Sequence, residues 1–119
     1  MPDPSAHKKQ AQHNKDVAIN LEANDPGALD WAITIRFYAA LHLVRAYLAQ
    51  LGLQPKDHGE TFDYLTQSSL PEDLVAAYRR FYRLSRKARY NCWSPSQSDV
   101  NTARQLLSQV ERVITPLLR

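Results

Sequence analysis

The sequence has one cysteine, three glycines and no acidic residue between Asp73 and Asp99. A lone thiol, Cys92, cannot close an internal disulfide, so the fold is not a cross-linked scaffold. With so few glycines there is no glycine-rich phosphate loop, and CxxC, HExxH and GxSxG are also missing. The four histidines show no metal-ligand spacing, so neither a metal nor another cofactor is expected. No apolar run reaches the length of a membrane span. The opening MPDPSAHKKQ has no hydrophobic stretch behind its charges, so no secretory signal is expected either. A protein of the cytoplasm, without a membrane partner, is the simple reading.

The 119 residues are enough for one domain with one core, taken as 1–119 with residues 1–5 frayed around Pro2 and Pro4. Apolar content of 44% is ordinary for a globular chain. A net charge of +3 and a pI near 9.2 permit contact with nucleic acid without demanding it. The distribution says more: the basic excess gathers in residues 79–89.

Prolines and turn residues divide the chain into helical segments, and no stretch alternates with period two. A weak stripe of Ala11, Val17, Ala18 and Leu21 predicts a helix over 6–23, stopped by Asn24-Asp25-Pro26-Gly27. Over 26–51, Ile33, Phe37, Leu41, Val44, Leu48 and Leu51 fill one arc, with Trp31, Ile35, Tyr38, His42 and Arg45 on a neighbouring one. So wide an apolar circumference predicts a helix in the middle of a bundle or at an oligomer interface. Capping-box spacings at Asp57/Glu60, Ser69/Glu72 and Ser96/Asp99 predict helices over 58–67, 71–92 and 97–117. The fold class is therefore all-α, an antiparallel up-and-down bundle of four to five helices.

The fourth helix carries the chemistry. Leu74, Tyr78, Phe81, Ser85, Ala88 and Cys92 form its inward stripe, which makes Cys92 a small core residue. Arg79, Arg83, Arg86 and Tyr90 form a second stripe, while Arg80 and Lys87 project into solvent. Arg89 does not join them. Its direction falls between Tyr78 and Tyr82, on the buried side, where a guanidinium needs a carboxylate, a carbonyl cluster or an anionic ligand. The alternative is an arginine lying over tyrosine rings with its head in water. His42 and His58 read first as a core histidine and a cap, while His7 and His13 sit six apart on a weak helix. His42 shares an arc with Tyr38 and Arg45, which makes it a site candidate.

The strings DWAITIRFYAALHLVRAYLAQLG (30–52) and SRKARY (85–90), with His58 between them, resemble the HEPN superfamily, and its small stand-alone bacterial members in particular. The resemblance implies an up-and-down helical bundle that often dimerises. It also implies one of three roles: metal-independent ribonuclease, toxin paired with an antitoxin, or RNA-binding module. The catalytic signature of such proteins is an arginine followed four to six residues later by histidine. Arg86 matches the arginine and Lys87 its polar follower, but Asn91 stands at the histidine position and Trp93 where some members have tyrosine.

Asparagine cannot exchange a proton near neutral pH as histidine can, so efficient cleavage is not expected, whereas anion binding needs only the guanidinium forks. The leading expectation is a homodimeric module binding RNA, a nucleotide or another phosphate-bearing ligand through Arg79, Arg83, Arg86, Arg89, Tyr90 and Asn91. One alternative is docking on an antitoxin or companion protein. The other is a ribonuclease with an altered site, in which His42 or His58 works with Arg86.

Overall fold

The computed structural model describes residues 2–119, which contain five α-helices and no strand. They are α1 (Pro4–Asn24), α2 (Leu29–Gln50), α3 (His58–Gln67), α4 (Glu72–Tyr90) and α5 (Gln97–Ile114). The expected all-α bundle is what forms. Helices α1, α2, α4 and α5 run up and down in turn, and α3 is a short crosspiece before α4.

The end signals explain the boundaries. Asp3 accepts a hydrogen bond from the Ala6 amide at 2.7 Å and starts α1 at Pro4, so Pro4 and Ser5, expected to fray, are helical, while Met1 lies outside the described residues. The Asp25–Pro26 pair opens a single 3₁₀ turn, Pro26–Ala28, before α2 proper. Gly52, at φ +80°, closes α2. The Leu53 amide donates to the Leu48 carbonyl at 2.9 Å and the Gly52 amide to the Ala49 carbonyl at 3.0 Å, a left-handed cap that suits glycine. Of the three expected capping boxes, only Ser96/Asp99 is reciprocal. At α3, Asp57 caps the Glu60 amide, but Glu60 reaches the Lys56 amide instead of closing the box. At α4 the cap position falls on Pro71, so Ser69 plays no part. Pro116 converts the end of the fifth segment into a 3₁₀ turn, Thr115–Leu117.

Helix α2 is the axis of the fold. Twelve of its residues are buried, from Ala32 to Leu48, because α1, α4 and α5 all pack on it. The wide apolar circumference thus places α2 in the middle of the bundle, one of the two positions it suggested. Phe37 is the hub: its ring lies 5.5–6.1 Å from those of Tyr38, His58, Tyr78, Phe81 and Tyr82. Phe62 brings α3 onto this cluster through Tyr78 and Tyr82, at 5.4 and 5.1 Å. Such edge and tilted contacts add to the apolar burial.

One polar contact pins three helices. Glu22, on α1, accepts from Arg36 of α2 at 2.7 and 3.0 Å through one oxygen, and from Arg104 of α5 at 2.6 and 3.1 Å through the other. The Glu22 and Arg36 side chains are each only 4% exposed. A carboxylate taken so far from water is tolerable because both oxygens receive charged donors. Tyr38, two residues beyond Arg36 on α2, packs against the Phe37 ring.

The expected core position of Cys92 is not realised. Helix α4 ends at Tyr90, and Cys92 adopts φ 49° beyond it with an exposed side chain. The inward stripe stops at Ala88 because the chain must turn towards Pro95, and Cys92 occupies the left-handed position that glycine fills after α2.

Candidate functional site

Arg79, Arg80, Arg83, Arg86 and Lys87 are all exposed, and none of them pairs with a carboxylate among the described residues. The chain offers no acid between Asp73 and Asp99 to neutralise them. Arg79, Arg86 and Lys87 lie against aromatic rings. The Arg79 guanidinium lies 5.2 Å from the Phe62 ring centre, and Arg86 lies 5.8 Å from that of Tyr82 and 5.1 Å from that of Tyr90. Arg86 also donates to the Tyr82 hydroxyl at 3.3 Å. Rings hold the guanidiniums in place without cancelling their charge, so the forks stay available for an anion.

Arg89 is half-buried, as its helical phase indicated. Its expected partner turns out to be a hydroxyl and a carbonyl rather than a carboxylate. It donates to the Tyr38 hydroxyl at 2.6 Å, and to the Ser85 carbonyl and hydroxyl at 3.3 Å each. It also sits over the rings of Tyr38 and Tyr90, at 5.5 and 5.3 Å, so the alternative of an arginine on tyrosines holds as well. Tyr90 lies between Arg86 and Arg89 and is 64% exposed, leaving ring surface on which a base can stack. Asn91 follows as the exposed end of the helix.

Arg80 and Lys87 are less idle than a purely solvated pair. With Arg83, Leu84, Thr102 and Leu106 they line a shallow groove of about 300 Å³ between α4 and α5. Lys87 also lies 4.1 Å from the Trp93 ring centre. Arg83 is therefore shared between the arginine stripe and this groove. A second groove, of about 400 Å³ between α1 and α5, is floored by Ala11, Leu43 and Leu107; its Lys15 is already paired with Glu111 at 2.9 Å.

The two candidate histidines separate. The His58 ring lies 5.0 Å from that of Tyr82, tilted by 55°, and its pKa is lowered, by burial first and then by the positive fields of Arg45, Arg89 and Arg86, with Asp57 opposing. It is thus brought into the arginine neighbourhood. His42 instead meets His7, Nδ1 to Nδ1 at 2.9 Å, and its pKa falls to about 4 through burial, His7 and Arg45. His7 is buried, and burial and Arg45 lower its pKa too, against Asp3. A contact between residues 7 and 42 has no local signal. Arg45 was visible only as a neighbour of His42 on one arc.

Residues 5–119 match the HEPN domain family model. The chain belongs to the HEPN family. No curated protein matches it. Within this HEPN domain, Arg86 is exposed on α4, and Asn91 is the exposed residue that caps the end of the same helix. No group of three or more histidine, cysteine, aspartate or glutamate side chains that could hold a metal occurs among the described residues. No described helix is long and apolar enough to cross a membrane.

Proposed function

We propose that this HEPN domain binds RNA through α4, with Arg79, Arg83, Arg86 and Arg89 on phosphates and Tyr90 under a base, and that it cleaves RNA poorly or not at all. The observation that carries the reading is a row of exposed guanidiniums left without acidic partners, two of which, Arg79 and Arg86, lie against aromatic rings. Phosphate contacts supply affinity, and an exposed ring supplies sequence-tolerant stacking. The domain acts as a cytoplasmic homodimer; Trp31, 59% exposed near the start of α2, supports a contact surface there.

The test is RNA binding against salt. The parent should bind single-stranded RNA with a steep salt dependence, and each arginine removed should lower the slope by roughly 0.7. An Arg83→Ala/Arg86→Ala variant that binds as well as the parent discards the reading. If RNA fails to bind while an acidic companion protein does, α4 is a protein-docking surface.

A second reading is favoured by the position of His58, neutral and within the fields of Arg86 and Arg89. It could then take the proton-transfer role that Asn91 cannot. Positioned proton transfer is worth about 10²–10⁴-fold. Robust cleavage in chelator that His58→Ala abolishes supports the altered-site ribonuclease. Cleavage only by Asn91→His supports a binding surface derived from a catalytic one.

A further inference from the structure

The groove between α1 and α5 contains none of the arginines of α4, and it is built differently from that row. Helices α1, α4 and α5 each pack on α2, but α1 and α5 scarcely pack on each other. Long side chains join them instead, Lys15 to Glu111 at 2.9 Å and Glu22 to Arg104 at 2.6 Å. The two backbones are thereby held apart, and a slot of about 400 Å³ opens over α2. Its floor is Ala11 of α1, Ala39 and Leu43 of α2, and Leu107 of α5. The two alanines give the slot its depth, since any larger side chain at either position would fill it. Ser5, Lys8, Gln12 and Lys15 form the α1 wall at steps of three or four residues. The slot therefore follows that helix for roughly 15 Å.

The two ends of the slot differ in charge. At one end Lys15 is neutralised by Glu111. At the other, Lys8 and Lys9 are exposed and pair with no carboxylate among the described residues. The exposed acids of this part of α1 are engaged elsewhere: Asp3 caps the Ala6 amide at 2.7 Å, and Asp16 accepts from Gln12 at 2.9 Å.

We propose that this slot docks an acidic amphipathic helix of a partner protein, with apolar side chains on the alanine and leucine floor and carboxylates against Lys8 and Lys9. Shape favours a helix. A trough that runs along two helices, over a third, is where a bundle seats a further one, and alanines in its floor allow close approach. Burial favours anchors over a flat face. The floor residues are already at 6% exposure or less, so the gain comes from bulky side chains that the partner withdraws from water. Two such anchors at i and i+4 project from one side of a helix into a slot of this length. Charge sets the orientation, because only the Lys8 and Lys9 end is positive; the acidic end of the partner helix lies at the start of α1. The proposal does not rest on the RNA-binding reading, which uses no residue of the slot.

A library of randomised helical peptides displayed on phage and selected on the whole protein tests this without choosing the partner beforehand. Peptides of about 15 residues suffice, since shorter isolated helices are marginal. Selected sequences should carry apolar residues at i and i+4 and acidic residues towards one end. A synthesised copy should shift the methyl resonances of Ala11, Ala39, Leu43 and Leu107 in NMR spectra. In anisotropy titrations, Lys8→Glu/Lys9→Glu should weaken that peptide at least about tenfold, because two attractions become two repulsions. Gln12→Trp, a change at an exposed wall position, should block the slot while circular dichroism stays that of the parent. Arg83→Ala/Arg86→Ala should bind the peptide as the parent does.

Selection that enriches no sequence, or only sequences without acids, overturns the proposal. So does a peptide that leaves the four floor methyls unmoved and loses its affinity in Arg83→Ala/Arg86→Ala, since the charge of α4 then draws it. Shifts of the same methyls with the concentration of the protein alone give the slot to a second copy and likewise overturn it.

Discussion

Glu22→Gln removes one charge and hardly any volume, yet it should be among the most damaging single changes in this protein. The carboxylate is 4% exposed and divides its oxygens between Arg36, also 4% exposed, and Arg104, 49% exposed. The Arg104 half is screened by solvent and contributes at most about 1 kcal/mol. The Arg36 half is different, because its guanidinium cannot leave the interior without unpacking α1 from α2. Breaking a buried pair by removing one partner costs about 3–5 kcal/mol, since the other charge is left unsolvated. A glutamine keeps one carbonyl acceptor and offers two donors that face guanidinium donors, so it recovers little of this. Against a total stability of about 5–15 kcal/mol, the loss is a large fraction of the fold. At roughly 3–5 °C per kcal/mol for a domain of this size, the melting temperature should fall by about 10–20 °C. Urea denaturation followed by circular dichroism checks it. Glu22→Leu/Arg36→Met should recover much of the stability, because an apolar pair of similar volume carries no stranded charge. If Glu22→Gln lies within about 1 kcal/mol of the parent, the triad does not hold the three helices together.

Further outcomes follow from the same contacts. The His7–His42 contact makes stability depend on pH: with folded pKa values held below the ordinary 6.5, the neutral pair is intact above that pH. Stability should decline as pH falls from about 6.5 towards about 4, because the unfolded chain takes up protons that the folded one resists. A urea midpoint unchanged across that range, or one declining identically in His42→Gln, counts against it. Arg89→Ala should cost about 1–3 kcal/mol by stranding the Tyr38 hydroxyl and the Ser85 contacts, whereas Arg80→Ala should stay within about 0.5 kcal/mol. Equal melting temperatures for the two would overturn that ordering. Cys92→Gly should stabilise by about 0.5–1.5 kcal/mol, since it relieves a left-handed residue at the end of α4, and a loss of stability would show that φ 49° is not strained.

Helix count, the role of α2 and the family were all legible in the residues. Apolar spacing of 3.6 is set by the backbone itself, and the Ser96/Asp99 box, Gly52 and the Asp25–Pro26 stop act within a few residues of one another, so they can be read in a line. The half-buried phase of Arg89 followed from the same periodicity. The exposed end of α4 did not, because Cys92 continues the apolar stripe while the turn towards Pro95 ends the helix first. Other features depended on groups far apart in the chain. Glu22 meets Arg104 across 82 positions and His7 meets His42 across 35, and neither pair shares a local pattern. Of the two placements that the apolar breadth of α2 allowed, the middle of the bundle is the one filled by α1, α4 and α5, and which neighbours pack on a helix is not written in its own periodicity. Whether His58 lies near the α4 side chains was likewise decided by how α3 packs on α4 through Phe62. Periodicity sets the direction of each side chain about its own axis; only packing decides which directions converge.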